Sequence, residues 1–171
     1  MSNNISSNTF SSATQIKSAE VNTNFTDQAE LINAKALVNL TSDQSIATGT
    51  ETLLAFATEI YDPGSNFDNT GGNYSFTAPV TGYYWINLQA RVNTLTNAKF
   101  NSVRIKNNST VIAQQERYAS ANVSTSSSVS IVYLLTATDV LQFYEAHDNG
   151  SNRDVEADGI ATWANIHLLS T

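Results

Sequence analysis

The 171-residue chain contains no cysteine. Disulfide staples, thiolate zinc sites and cysteine nucleophiles are therefore excluded, and cysteine usage says nothing about compartment. Proline occurs twice and glycine seven times. Charged residues make up only 13% of the chain, about half the usual share. Solvation must come from Ser, Thr, Asn and Gln. Positive charge is scarcest: Lys and Arg number 8 against 15 Asp and Glu, a net charge of −7. A surface of that sign repels phosphate and argues against nucleic acid as a partner. No apolar run approaches the ~18–20 residues of a membrane-spanning helix, so no membrane insertion is expected. The start, Met1-Ser2-Asn3-Asn4-Ile5, has neither the basic nor the apolar region of a secretory leader, and none is expected. Asn-x-Ser/Thr triplets such as Asn108-Ser109-Thr110 carry no weight in a chain so rich in these residues.

What is present is a chain of one-domain size that can bury roughly 70% of its unfolded surface. Residues 1–17 are polar and aperiodic and predict an extended arm, with Phe10 as an isolated apolar anchor. Residues 18–33 predict a short helix. Ser18 suits the N-cap, Glu20 sits in the first turn, and Val21, Phe25, Ala29 and Ile32 form one apolar stripe. So short a helix is marginal alone. Its stripe must cover its own domain or pack against copies of itself. Phe10, Val21, Phe25 and Ile32 are the candidate attachment residues.

From residue 34 the period changes from helical to two. Segments begin at Lys35–Thr41, Thr52–Glu59 and Tyr74–Phe76. They continue through Tyr83–Val92, Phe100–Lys106, Val111–Arg117, Ser126–Thr136, Val140–Ala146 and Ala161–Leu169. Turn signals separate them, among them Asp62-Pro63-Gly64, Gly71-Gly72, Asn107-Asn108 and Asp148-Asn149-Gly150. Many short strands without a second helix predict an all-β sandwich or barrel over residues 34–171. In Tyr83–Val92 both alternating sets carry large rings, so both faces of that strand are expected to be covered.

Within 36–169 the chain resembles the C1q domain of the C1q/tumour-necrosis-factor superfamily, in its microbial and viral form. The most specific block is x-Phe-Thr-x-Pro-x-x-Gly-x-Tyr-x-aliphatic, present as Phe76, Thr77, Pro79, Gly82, Tyr84 and Ile86. Phe67-Asp68 resembles the family's aromatic-Asp pair, and Trp163–Leu169 its closing strand. Asp139–Phe143 resembles the strand after the family's Gly-Asp turn, although Thr138 stands where the glycine is usual. The resemblance implies a jelly roll of about ten strands, assembly as a compact homotrimer, and no enzymatic activity. Tyr83, Trp85 and His167 are then the candidate trimer-interface residues. The run Ser18–Phe25 resembles a segment common in bacteriophage tail-fibre proteins.

Candidate chemistry is sparse. The two histidines, His147 and His167, lie in no Gly-x-Ser-x-Gly or His-Glu-x-x-His motif. Asp154, Glu156 and Asp158 alternate with Val155, Ala157 and Gly159. As a strand they would place three carboxylates on one face, gathered near a three-fold axis as a candidate site for Ca2+. The alternative is a solvated edge whose charges discourage strand pairing. No other cofactor is expected. Tyr61, Tyr74, Tyr118 and Trp163 are candidate stacking surfaces for sugars, against the alternative of core packing. The expected function is a non-enzymatic homotrimer on the exterior of a phage particle. Its knob would serve as a tail-fibre or tail-tip adhesin for a host-surface glycan, and its arm would bind other virion proteins. Alternatives are a capsid decoration protein and a bacterial C1q-like surface adhesin.

Overall fold

The computed structural model describes residues 18–171; the expected arm 1–17, with Phe10, lies outside the described residues. Helix α1 (Ser18–Asn33) runs through Ala34 into β1 (Lys35–Asn39). There follow β2 (Gln44–Ile46), β3 (Thr52–Leu53), β4 (Thr58–Tyr61), β5 (Phe67–Asp68), β6 (Ser75–Thr77) and β7 (Gly82–Leu95). The second half holds β8 (Phe100–Asn107), β9 (Thr110–Tyr118), β10 (Val123–Leu135), β11 (Val140–His147), β12 (Arg153–Val155) and β13 (Trp163–Ser170).

These strands form two antiparallel sheets stacked as a jelly-roll sandwich. One is ordered β2-β12-β7-β13-β1-β4, and β10 pairs with the other side of β7. The second is ordered β5-β6-β11-β8-β9, with β3 pairing to β11 beyond β6. About ten strands were expected and thirteen occur among the described residues. Five of these, β2, β3, β5, β6 and β12, are only two or three residues long. They are loop segments that touch a sheet margin and pair briefly there.

The expected single strand over 52–59 is divided between the sheets. Thr52 and Leu53 pair with β11, whereas Thr58–Tyr61 pair with β1. Leu54 and Phe56 remain buried between them. The apolar alternation continues across the crossing, so it does not betray the change of sheet.

The core sits between the sheets. From β7 it takes Tyr84, Ile86, Leu88, Ala90 and Val92, which face Val103 and Ile105 of β8 and Leu141 and Phe143 of β11. The Tyr84 ring meets Phe76 edge-on at 6.0 Å. Its hydroxyl donates to Val80 O at 2.8 Å, and burial pushes its pKa up to about 12. This tyrosine thus ties the start of β7 to the preceding turn. Gly82 belongs to the same block for a steric reason: a Cβ there would lie 2.3 Å from Ser170 O. The β8–β9 hairpin closes through Asn108 and Ser109, both at positive φ (46° and 72°), with Asn107 opposite Thr110. The turn is one residue later than the Asn107-Asn108 expected, and two positive φ values match the twist of a two-residue hairpin.

Candidate functional site

The side of the seven-stranded sheet turned away from the core carries the second set of β7 residues, Tyr83, Trp85, Asn87, Gln89 and Arg91. Register fixes their neighbours. Trp85 lies between Val132 of β10 and His167 of β13, and His167 lies opposite Lys35 of β1. Tyr83 lies opposite Leu134. Trp85, Tyr83, Val132, Leu134 and Leu169 are 43–53% exposed, so one chain leaves an apolar patch on this face. Tyr83 and Trp85 are therefore not a second core layer of a single chain. Further along the strand the same face turns polar: Asn87 meets Ser130, Gln89 meets Ser128, and Arg91 meets Ser126. Trp85 is held in place by an Nε1 hydrogen bond to Ser130 Oγ at 3.0 Å.

His167 is not a free imidazole. Tyr61 Oη donates to Asn165 Oδ1 at 2.9 Å and also forms a short hydrogen bond with His167 Nε2. Burial and then the Lys35 charge lower the His167 pKa. The neutral ring therefore donates Nε2–H to Tyr61 Oη. Together Ile32, Lys35, Tyr61, Asp62, Pro63 and His167 line a groove of about 520 Å³. It joins the end of α1 to the apolar face.

The helix stripe is largely uncovered. Phe25 and Ile32 are 65% and 57% exposed, Ala29 is exposed, and Val21 is half-buried. Leu31, off the stripe, is the helix residue that packs on the core. Of the two alternatives for the stripe, burial on its own domain is confined to the half-covered Val21.

The acidic run does not form the expected three-carboxylate face. Strand β12 ends at Val155, and Asp158 O accepts Ala161 N at 2.7 Å in a turn. Glu156 binds Arg91 (Oε2 to Nε, 3.1 Å) and accepts from Ser124 Oγ at 3.0 Å. Asp154 stays exposed, and one Asp158 oxygen accepts from Ile160 N. Among the described residues no three His, Asp or Glu side chains gather as metal ligands. Within one chain, Asp154, Glu156 and Asp158 are thus separated because regular extension stops too early.

His147 is fully buried. Its Nε2 donates to Ile46 O at 3.1 Å, its Nδ1 accepts from Asn149 N at 3.3 Å, and burial lowers its pKa. Both ring nitrogens are thus occupied in a neutral ring. The neighbouring Asp148 carboxylate is engaged elsewhere, with Lys99 Nζ at 3.3 Å and Phe100 N at 2.8 Å. The pair forms no acid–base couple. Of the candidate stacking residues, Tyr118 is exposed and Tyr61, Tyr74 and Trp163 are half-buried. Glu145 was not singled out from the sequence, yet it is fully buried with no partner for either carboxylate oxygen. The signal was its place in Leu141-x-Phe143-x-Glu145-x-His147, an inward-facing set.

Comparison with known proteins agrees with this architecture. No curated protein sequence matches the chain. Eiger TNF from S. frugiperda is similar in structure, with a TM-score of 0.60 at 12% identity, covering 80% of this chain and 92% of that one. Murine APRIL at pH 5.0 gives a TM-score of 0.60 at 13% identity, covering 79% and 98%. The globular domain of zebrafish complement 1qA protein gives 0.57 at 16% identity, covering 80% and 97%. At these identities the likeness speaks for the fold. The C1q-domain family model matches residues 37–158, which is more than half of the chain, and the protein belongs to the C1q domain family.

Proposed function

We propose that the protein is a non-enzymatic, homotrimeric display module of a bacteriophage particle, and that its jelly-roll knob is a receptor-binding adhesin for a host-surface glycan. The observation that carries the assembly is the apolar patch that Tyr83, Trp85, Val132, Leu134 and Leu169 form together on adjacent strands of the outer face. Contiguous exposed apolar surface rimmed by polar groups marks an association site. Three copies meeting through this face would bury rings that one chain leaves in water. The uncovered stripe of α1 continues from the same face through the groove at Ile32 and His167. It would lie beside its counterparts, with the arm 1–17 free to bind other virion proteins.

Display is the mechanism this arrangement supports. Three equivalent knobs on one axis turn a weak contact into a firm one when a surface presents several receptors. The particle context is supported by the fibre-like run Ser18–Phe25. The polar, Asn- and Ser-rich loops suit saccharide hydroxyls.

The test is binding of the fluorescently labelled full-length protein to bacterial envelope fragments and to empty phage heads. Saturable binding to the envelope, reduced by solubilised surface polysaccharide, is expected. Binding to heads alone would overturn the adhesin reading and establish a decoration protein instead.

A further inference from the structure

A second site lies at the polar end of the outer face, where β10 of that sheet meets β9 of the other. From Trp85 to Arg91 is six residues of β7, about 20 Å, so this end is well separated from the apolar patch. There the sandwich is open between β9 and β10. A groove of about 320 Å³ lies in the opening, walled by Arg91, Arg117, Tyr118, Ser120, Ser124 and Ser126. That volume falls at the lower end of small-molecule sites. A smaller hollow of about 200 Å³ adjoins it and shares Arg117 and Ser126 as walls.

Arg117 gives the groove its chemistry. Its one hydrogen bond among the described residues is from Nη1 to Ser126 O at a long 3.4 Å, and it enters no ion pair. An unpaired guanidinium is conspicuous in a chain with a net charge of −7. Its planar fork matches a carboxylate or sulfate, to which it can donate two parallel hydrogen bonds. The other charges present are already committed. Glu156 is bound to Arg91, and Glu116 is hydrogen-bonded to the Tyr118 hydroxyl. The Tyr118 ring is 60% exposed and is steadied edge-on by Phe100 at 6.1 Å. Tyr118 lines the rim of the groove but alternates with Arg117 along β9, so its ring and the guanidinium leave opposite faces of the strand. The serine hydroxyls along the floor suit a partner rich in hydroxyl groups.

We infer that this groove binds an acidic saccharide, with its anionic group on Arg117 and its hydroxyls on Ser120 and Ser126. The inference deepens the glycan-binding part of the reading above by naming its site and ligand class. The site lies within one chain and does not depend on trimerisation.

The experiment is calorimetric titration of the full chain with four probes: sialyllactose, a sulfated heparin disaccharide, neutral lactose and inorganic sulfate. The same titrations are run on R117Q, R117K and R104Q. R104Q removes an equal charge from the opposite face of the sheet that carries Arg117, where Lys106 still holds Glu51. The wild type and R104Q are expected to bind at least one acidic saccharide and to ignore lactose. R117Q should lose at least tenfold in affinity, and R117K, which keeps the charge without the fork, should fall between. Circular dichroism checks that each variant is folded. Equal binding by R117Q would place the glycan site elsewhere and overturn this inference alone. So would binding of lactose only. Binding of inorganic sulfate without any saccharide would overturn the saccharide assignment. If no probe binds, the groove and the glycan-binding reading both fall.

Discussion

Thr138 occupies a position where the backbone works against the side chain. Its φ is +78°, in the left-handed region that a β-branched residue rarely adopts. The turn is held around it: Asp139 accepts from Thr136 N at 2.9 Å and from Asn108 Nδ2 at 2.7 Å, and Thr138 N donates to Ala78 O at 2.8 Å. Glycine, the residue usual here in the resembling family, would release that strain, of order 1–3 kcal/mol. It would give back somewhat less than 1 kcal/mol through the freer unfolded chain. T138G is therefore expected to be more stable by about 1 kcal/mol, read as a higher urea midpoint at unchanged m-value. Glu145 is the second strained residue. Burial without a partner pushes its pKa up to about 8 from an ordinary 4.5. Between those values the folded chain holds a proton that the unfolded chain has released. Stability therefore falls as pH rises from about 4.5 to about 8 and then levels off. E145Q removes that dependence. At pH 9 it should be more stable than the wild type by a few kcal/mol, and near pH 4 the two should converge. Parallel urea curves at both pH values check this.

At the scale of the element, the helix and the strands differ in how far the sequence announces them. The α1 stripe of Val21, Phe25, Ala29 and Ile32 is legible as a period, and the structure shows that its own domain leaves it largely in water. In the proposed trimer the stripe lies between copies. The double variant F25S/I32S should fold normally but dissociate at a protein concentration at least tenfold higher than the wild type, as followed by sedimentation over a dilution series. Unchanged dissociation would assign the stripe to attachment on another protein. In β7 the alternation separated Tyr84, Ile86 and Leu88 from Tyr83 and Trp85, but with large rings in both sets only the fold shows that the first set faces the core. The passage from β3 to β4 was hidden, because Leu54 and Phe56 stay inward while the chain changes sheets. The run 154–158 misled for the opposite reason. Alternation of acid and apolar residues continues after hydrogen-bonded extension has ended at Val155, and pattern alone does not show where pairing stops. The pairing of Arg91 with Glu156 and the opening beside Arg117 arise from residues distant in sequence. Only the folded chain brings them together.

For the whole molecule, the central claim is that the outer face of the seven-stranded sheet is an interface between three copies of the chain. Its two ends divide the work: Tyr83, Trp85, Val132 and Leu134 at one end exclude water, and Arg91 and Ser126 at the other, beside Arg117 of the neighbouring sheet, face solvent or ligand. Placing a charge in the centre of the apolar end tests this division. In W85E a carboxylate would have to be desolvated by association with no cation provided for it, at a cost of several kcal/mol. In a single chain the same residue would sit exposed and cost little. The measurement is the mass in solution, by light scattering, of the full-length wild type and W85E at the same micromolar concentration. The wild type is expected at about three times the 18.5 kDa chain mass, and W85E at the chain mass with an unchanged circular dichroism spectrum. A wild type of one chain mass, or a W85E variant that remains trimeric, would contradict the account.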